Sequence, residues 1–340
     1  MKVLLTGSGG VVGSEVADLL ARAGESVEVT AVTRRPSRPG ETRWVLGAEP
    51  PPAELREQHW DAVIHSAAST RWTMTEAEAT EANIRTTEAV LELADGETHV
   101  VHVSTAYVEG QDAKPLPSAF GRHRNGYEWS KAECEDLVRA AHTGPLTIVR
   151  PPLVFGRRTD GAISRFSGPY TMVQALVSGL APAVVGDPDG FVEIAPVDQV
   201  AEVIAAAALG AAPGTPAVEV IAAGDGCLRL SEMIGVICRT LNDWREEEGI
   251  TPVAYPPFIT SRRWHRFFLP LAEQHLSEVQ FRAVELLGMF EGYTSMPEPF
   301  RPTRRVADPS ELLARSVRWW AQAKPRHAKR LPRQWSLIPV

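Results

Sequence analysis

The chain has 340 residues, 44% of them hydrophobic and 23% charged, which excludes general disorder and fits one large α/β domain or a domain with an appendage. Three cysteines, Cys134, Cys227 and Cys238, show neither a CxxC pair nor a zinc-type spacing, and no run reaches the roughly 18 apolar residues of a membrane span. Net charge is 35 − 42 = −7, which argues against nucleic acid as a partner; the last forty residues carry ten Lys/Arg and two Asp/Glu, so +8 there against −15 before.

In chain order, residues 3–5 read as a short apolar strand that runs into a glycine-rich turn at 7–13. Helical periodicity follows over 11–23 and stops at Gly24, and a β-branched strand occupies 27–32. A third strand is expected at 44–46, a fourth at 61–65, a long helix over 76–94 and a fifth strand at 99–104. A helix over 127–141 and a strand at 146–150 complete the alternation, which predicts an α/β fold with a doubly wound parallel sheet of the Rossmann type. Residues 151–195 read as loops with one helix near 171–177, followed by an Ala-rich helix at 197–209 and a strand at 218–222. Beyond Leu230 only helices and loops are expected, over 230–242, much of 262–290, and 309–323. The predicted organisation is a dinucleotide-binding domain of 1–155 with 193–222, and a substrate-binding part of 156–192 and 223–340 ending in a basic tail. In open α/β sheets ligands bind at the carboxyl ends of the strands, so the active site is expected in a cleft there.

Four motifs carry chemistry. Thr6-Gly7-Ser8-Gly9-Gly10-Val11-Val12-Gly13 sits between a strand and a helix, where glycines let a pyrophosphate approach the helix N-terminus. Gly7, Gly10, Val11, Val12 and Gly13 are the candidate cradle. Twenty residues after Gly13, where an NAD site usually carries an acid, stands Thr33-Arg34-Arg35. Arg34 and Arg35 suit a 2′-phosphate, so NADP(H) is favoured over NAD(H). Tyr127 and Lys131, four apart on a helix, share a face, and a nearby ammonium is expected to lower the tyrosine pKa for proton transfer. Ser104 and Thr105 end the fifth strand, and Thr105 is the preferred hydroxyl for holding a substrate carbonyl. His65 and His102, at strand ends, read as buried histidines rather than catalytic ones. Trp264, Phe267, Phe268 and Leu269 read as core packing of a helical part before an acyl-pocket lining.

These signatures resemble those of the extended short-chain dehydrogenases/reductases. More finely, Val63-Ile64-His65-Ser66-Ala67-Ala68-Ser69, Val103-Ser104-Thr105-Ala106-Tyr107-Val108, Gly126-Tyr127 through Ser130-Lys131, and Arg150-Pro151-Pro152-Leu153-Val154-Phe155-Gly156 are similar to the branch of fatty acyl-CoA reductases, male sterility proteins and terminal thioester reductase domains. The resemblance covers about residues 1–225. It departs at Asn83-Ile84-Arg85-Thr86-Thr87, where threonine replaces a family glycine, and at Gly47-Ala48-Glu49, which replaces Gly-Asp-Leu. It implies Thr105, Tyr127 and Lys131 as catalytic residues, and Ala67, Ala68, Lys131, Pro151 and Val154 beside the glycine turn and the two arginines as cofactor-binding ones. The implied activity is NADPH-dependent reduction of an acyl thioester, CoA- or carrier-bound, to the aldehyde and on to the alcohol where a second hydride is delivered. The alternatives are an extended reductase, dehydrogenase or epimerase acting on a free ketone or nucleotide sugar, and a non-catalytic dinucleotide-binding regulator. No signal peptide, adenylation or carrier segment is read in the chain, so a cytoplasmic enzyme receiving any acidic carrier protein in trans is expected, with no metal.

Overall fold

Six segments of the first 150 residues become parallel strands, and the central ones, rich in apolar residues, are buried on both faces. They are β1 (Lys2–Thr6), β2 (Glu28–Thr33), β3 (Thr42–Arg43), β4 (Ala62–His65), β5 (His99–Val103) and β6 (Leu146–Arg150). In the computed structural model, which describes residues 1–109, 123–179 and 183–331, the sheet order is β3-β2-β1-β4-β5-β6, continued by Ala217–Ala222 and Arg304–Arg305. Leu4 registers with Thr30 of β2 on one side and Val63 of β4 on the other. Strand order therefore reverses at β1 and β4, and the glycine turn lies at this switch point. The fold is the doubly wound Rossmann-type sheet.

The chain divides into two compact units. The first comprises Met1–Pro152, Val197–Ile221 and Pro302–Arg304. Its core gathers Leu4, Val32, Val63, Val100 and Ile148 from the strands with Val90 and Val138 from the helices. Helix Val11–Leu20 packs on helix Val197–Leu209, and helix Gly126–Ala141 packs on the helical run Glu76–Ala79, Thr80–Ile84 and Arg85–Leu91. The middle segment of that run is a π-helical turn, a departure that sequence periodicity does not reveal.

The third strand is shorter and earlier than expected. Thr42–Arg43 pairs with Val32 and Thr33, and Trp44 still donates its N–H to the Thr33 carbonyl at 3.1 Å while its buried indole donates to the Glu49 carbonyl at 2.9 Å.

The second unit, Leu153–Pro196, Ala222–Arg301 and Arg305–Val340, is richer in strand than expected. Residues 151–195 contribute Leu153–Phe155, Val184–Val185, Phe191–Val192 and Ile194–Pro196, and Phe258–Ile259 pairs with Val184–Val185. Two- and three-residue strands carry no alternation to read. Helix Leu230–Glu247 packs on helix Pro309–Ala323. Buried Arg245 donates to the Thr251 carbonyl at 2.7 Å, to Ala328 and to Arg330 at 3.1 Å, which fastens the segment after the second helix. The basic C-terminal stretch is consequently no loose tail over its described part: Arg318 pairs with Glu247, Lys329 with Glu248 and Arg315 with Glu311. Residues 332–340 of the expected tail lie outside the described residues. Trp264 is buried, with Phe268 stacked at 4.3 Å, whereas Phe267 of the expected cluster is exposed. Among the described residues no helix is long and apolar enough to cross a membrane, and no three His, Cys, Asp or Glu converge as metal ligands would.

Candidate active site

Of the candidate catalytic and cofactor-binding residues, all but Val154 lie in the first unit. Gly7 has φ +79°, and a Cβ there would lie 2.7 Å from the Ala67 nitrogen. At Gly13 a Cβ would lie 2.1 Å from the Gly7 carbonyl oxygen. Only glycine lets the turn close on itself and on the chain leaving β4. Gly10 is the N-cap of helix Val11–Leu20, with no side-chain cap and no acidic residue in the first turn that contains Val11, Val12 and Gly13. The helix end keeps its positive dipole and its N–H groups for an anion, so the site fits a dinucleotide phosphate. Ala67 packs on this turn, and Ala68 follows it, exposed.

Arg34 and Arg35 are exposed just after β2, and neither forms an ion pair with the described residues, whereas Arg38 pairs with Asp18 at 2.6 Å. Glu41 ties this loop to the glycine turn: it accepts the Ser8 hydroxyl at 2.8 Å and the Ser37 and Arg38 N–H groups at 2.7 and 3.0 Å. Burial opposes its ionisation, but these bonds prevail and hold its carboxyl below the usual range.

Asn125 starts helix Gly126–Ala141 by accepting the Glu128 N–H at 3.0 Å, which places Tyr127 in the first turn and Lys131 one turn on. The Tyr127 phenol shares a hydrogen bond with the Thr105 hydroxyl. Thr105 also lies 3.4 Å from the Pro151 carbonyl oxygen, and that carbonyl accepts the Ala106 N–H at 2.9 Å. Two hydroxyls thus meet at the end of β5. Val154 lies in the second unit, in strand Leu153–Phe155.

The electrostatics differ from the expectation of an acidified tyrosine. Although its side chain is partly open to solvent, Tyr127 lies deep among protein atoms, and burial pushes its pKa up to about 12; the Thr105 bond lowers it and the Glu128 carboxylate raises it. Lys131 is instead engaged elsewhere. Its buried Nζ lies 3.2 Å from His102 Nε2, and burial lowers its own pKa against the pull of Cys134 and Glu135. Burial, with the Lys131 charge, brings His65 down to about 3 and His102 well below the usual imidazole value.

Sequence reasoning set His65 and His102 aside and gave Asn83 no role. His65 bridges Thr6 at 2.8 Å and Thr87 at 3.1 Å, and its ring centroid is 5.5 Å from that of His102. Thr87 donates to the Asn83 carbonyl at 2.9 Å, so the hydrogen on His65 sits at Nε2 and Nδ1 accepts from Thr6. Asn83, in the π turn, donates to the Ser130 hydroxyl at 2.8 Å and to the Ser69 carbonyl at 3.1 Å. Ser130 in turn donates to the Tyr127 carbonyl at 2.9 Å, so Asn83 braces the turn that carries Tyr127 and Lys131. Its sequence signals are the family-like segment Asn83–Thr87 and a polar amide followed four residues later by Thr87. At the family-divergent position, Thr86 also donates to the Asn83 carbonyl, at 2.8 Å.

Residues 42–204 match the family model described as male sterility protein. This segment belongs to that family. The chain is 25% identical over 217 residues to the fatty acyl-CoA reductase wat of Drosophila melanogaster, covering 53% of the chain and 41% of the relative. It is 30% identical over 176 residues to a 4-hydroxy-2-methyl-3-oxo-4-farnesyl-3,4-dihydroquinoline-1-oxide ketoreductase of Stigmatella aurantiaca, covering 46% of the chain and 51% of that protein. The matched regions thus span about half of these relatives or less. Among solved structures, the terminal R domain of the myxalamid PKS-NRPS pathway superposes with a TM-score of 0.70 at 19% identity, covering 97% of this chain and 92% of that one. The last likeness shows the shared fold. Together the comparisons tie residues 42–204 to the male sterility family, and the whole chain to the fold of such reductase domains.

Proposed function

We propose that the chain is an NADPH-dependent reductase that converts an acyl thioester, bound to CoA or to a carrier protein, into an aldehyde. The hydroxyl pair of Tyr127 and Thr105, with Lys131 one turn along the helix that carries Tyr127, is the observation that carries this reading. The uncapped helix start would hold the pyrophosphate, with Ala67, Ala68, Pro151 and Val154 as further cofactor contacts, and Arg34 and Arg35 would take the 2′-phosphate. When bound, the nicotinamide supplies the hydride.

The chain's own residues supply position and protons. Thr105 and Tyr127 donate hydrogen bonds to the carbonyl oxygen as negative charge develops there. A phenol held near pKa 12 stays protonated throughout the neutral range, so Tyr127 is a donor at rest and needs that charge to release its proton. Lys131 would exchange His102 for the nicotinamide ribose and, carrying its charge beside the phenol, ease that release. The carbon–sulfur bond then breaks: the hydride remains on the carbonyl carbon as the aldehyde hydrogen, and the one proton supplied through Tyr127 ends on the leaving thiol. A second round would yield the alcohol.

Likeness to the ketoreductase supports a second reading, reduction of a free ketone by the same hydroxyl pair. NADPH and NADH fluorescence titrations, followed by NADPH consumption on panels of acyl-CoAs and ketones, separate the two. Thioester-dependent consumption lost in Tyr127→Phe supports the first; turnover of ketones alone supports the second; no dinucleotide binding contradicts both.

A further inference from the structure

The second unit carries a positive, partly apolar surface that the proposed chemistry does not use. Segment Ser261–Arg263 leads into the π-helical turn Trp264–Phe268 and helix Leu269–His275. One side of this run is anchored: Trp264 and Ala272 are buried in a cluster with Val185 and Val284, against which Phe268, Leu269 and Leu276 pack. The other side is open. Arg262, Arg263 and Arg266 are exposed, and none forms an ion pair among the described residues. Phe267 is 62% and Leu271 55% exposed, and the Arg266 guanidinium lies 5.3 Å over the Phe267 ring. Arg263, Phe267 and Leu271 recur at four-residue spacing, so charge and apolar surface lie together on one face.

This face departs from the rest of the molecule. The first 300 residues carry a net −15, yet three unpaired arginines fall within five positions here. The helices of the basic C-terminal stretch, by contrast, spend Arg315, Arg318 and Lys329 on internal ion pairs. An aromatic and an aliphatic residue beside unpaired arginines is the composition of a protein-docking patch, where arginine and aromatic residues are enriched and charge steers the encounter. A membrane surface is less suited: the apolar stripe that would enter lipid is already spent on the unit's own core, which leaves two side chains to insert.

We infer that the 262–271 face docks an acidic carrier protein bearing the acyl thioester, so that the partner is recognised here and not by the terminal stretch. This rests on the thioester reading above. The carrier's carboxylates would pair with Arg262, Arg263 and Arg266, while Phe267 and Leu271 supply the dehydrated centre.

The test compares one acyl group presented as acyl-CoA and on a holo acyl carrier protein. The variants are Arg262→Glu/Arg263→Glu/Arg266→Glu and Phe267→Ser/Leu271→Ser, with direct binding of the holo carrier followed in parallel. KM for the carrier-bound thioester should rise about tenfold or more in the charge variant, while KM for acyl-CoA moves less than about twofold. Carrier binding by the unaltered chain should weaken as salt is raised from about 50 to about 300 mM. An unchanged carrier KM overturns the inference. So does binding to phosphatidylserine vesicles, or self-association, that the charge variant loses while carrier KM stays the same. If the unaltered chain turns over neither thioester, the reductase reading fails; salt-sensitive carrier binding lost in the charge variant would still uphold the docking face.

Discussion

The two units differ in what makes them readable. In the first, composition and burial coincide: β1, β4, β5 and β6 are buried almost throughout and appear as short apolar-rich segments. In the second, short strands such as Val184–Val185 and Phe258–Ile259 form where two segments happen to meet, and no local pattern announces them. The first unit also holds the glycine turn, the hydroxyl pair and Lys131; the second unit holds Val154, clamps such as Arg245, and the arginine face. Chemistry is written in local motifs, whereas packing and recognition arise from residues far apart in the chain.

Perturbations sharpen this contrast. The largest effect is expected in the first unit: Tyr127→Phe should lower thioester-dependent NADPH oxidation about 10²–10⁴-fold while leaving NADPH affinity within about twofold, checked by steady-state rates beside fluorescence titration. In the second unit, Arg245→Met leaves the Thr251, Ala328 and Arg330 carbonyls without their donor and should cost about 3 kcal/mol of stability, read by denaturant unfolding, with NADPH affinity unchanged. A matching loss of cofactor binding would break the division between the units. Replacing Arg34 and Arg35 together by serine should reduce the preference for NADPH over NADH by about 10–100-fold, the worth of one or two charge-assisted bonds. Equal titration curves for the two cofactors in the unaltered chain would remove the 2′-phosphate role.

The last effect is graded with pH and builds up gradually on acidification. His65 is held near pKa 3 when folded and has an ordinary value when unfolded, so below pH 6.5 the unfolded chain binds the extra proton. Stability is therefore complete above about 6.5 and falls on acidification toward 3, by up to about 1.4 kcal/mol per pH unit for this group. Urea unfolding across pH 4–7 should show that slope, reduced in His65→Gln. A slope that steepens or is unaltered would contradict the assignment of His65 as a buried neutral ring.

Much of the fold and the motif placement was legible, for physical reasons. Strand–turn–helix context marks the Gly7–Gly13 turn because an L side chain at either end would strike backbone atoms. Four-residue spacing set Tyr127 and Lys131 on one helix face. What escaped depends on distant neighbours. Past Trp44, whose N–H is the last to reach Thr33, the chain turns so that the indole meets the Glu49 carbonyl. The basic stretch folds inward because Leu313, Val317 and Trp320 are buried on the face of a helix that packs on Leu230–Glu247, and Glu247 and Glu248, some seventy to eighty residues earlier, pair with Arg318 and Lys329 at its surface. Lys131 meets His102 rather than acidifying Tyr127, since the depth of Tyr127 among protein atoms and the carboxylate of Glu128 outweigh any benefit of spacing. Asn83 takes its bracing position only through a π turn, and no periodicity encodes that turn.

The central claim is that the Tyr127–Thr105 pair delivers a hydrogen bond and proton to a thioester carbonyl. The most direct measurement is single-turnover oxidation of NADPH by the unaltered chain, Tyr127→Phe and Thr105→Val with one acyl-CoA, with the released thiol quantified in the same reaction. The account predicts one thiol released per NADPH consumed on the way to the aldehyde, and loss of both signals in Tyr127→Phe with a smaller loss in Thr105→Val. NADPH oxidation without thiol release, or full activity in Tyr127→Phe, would contradict it.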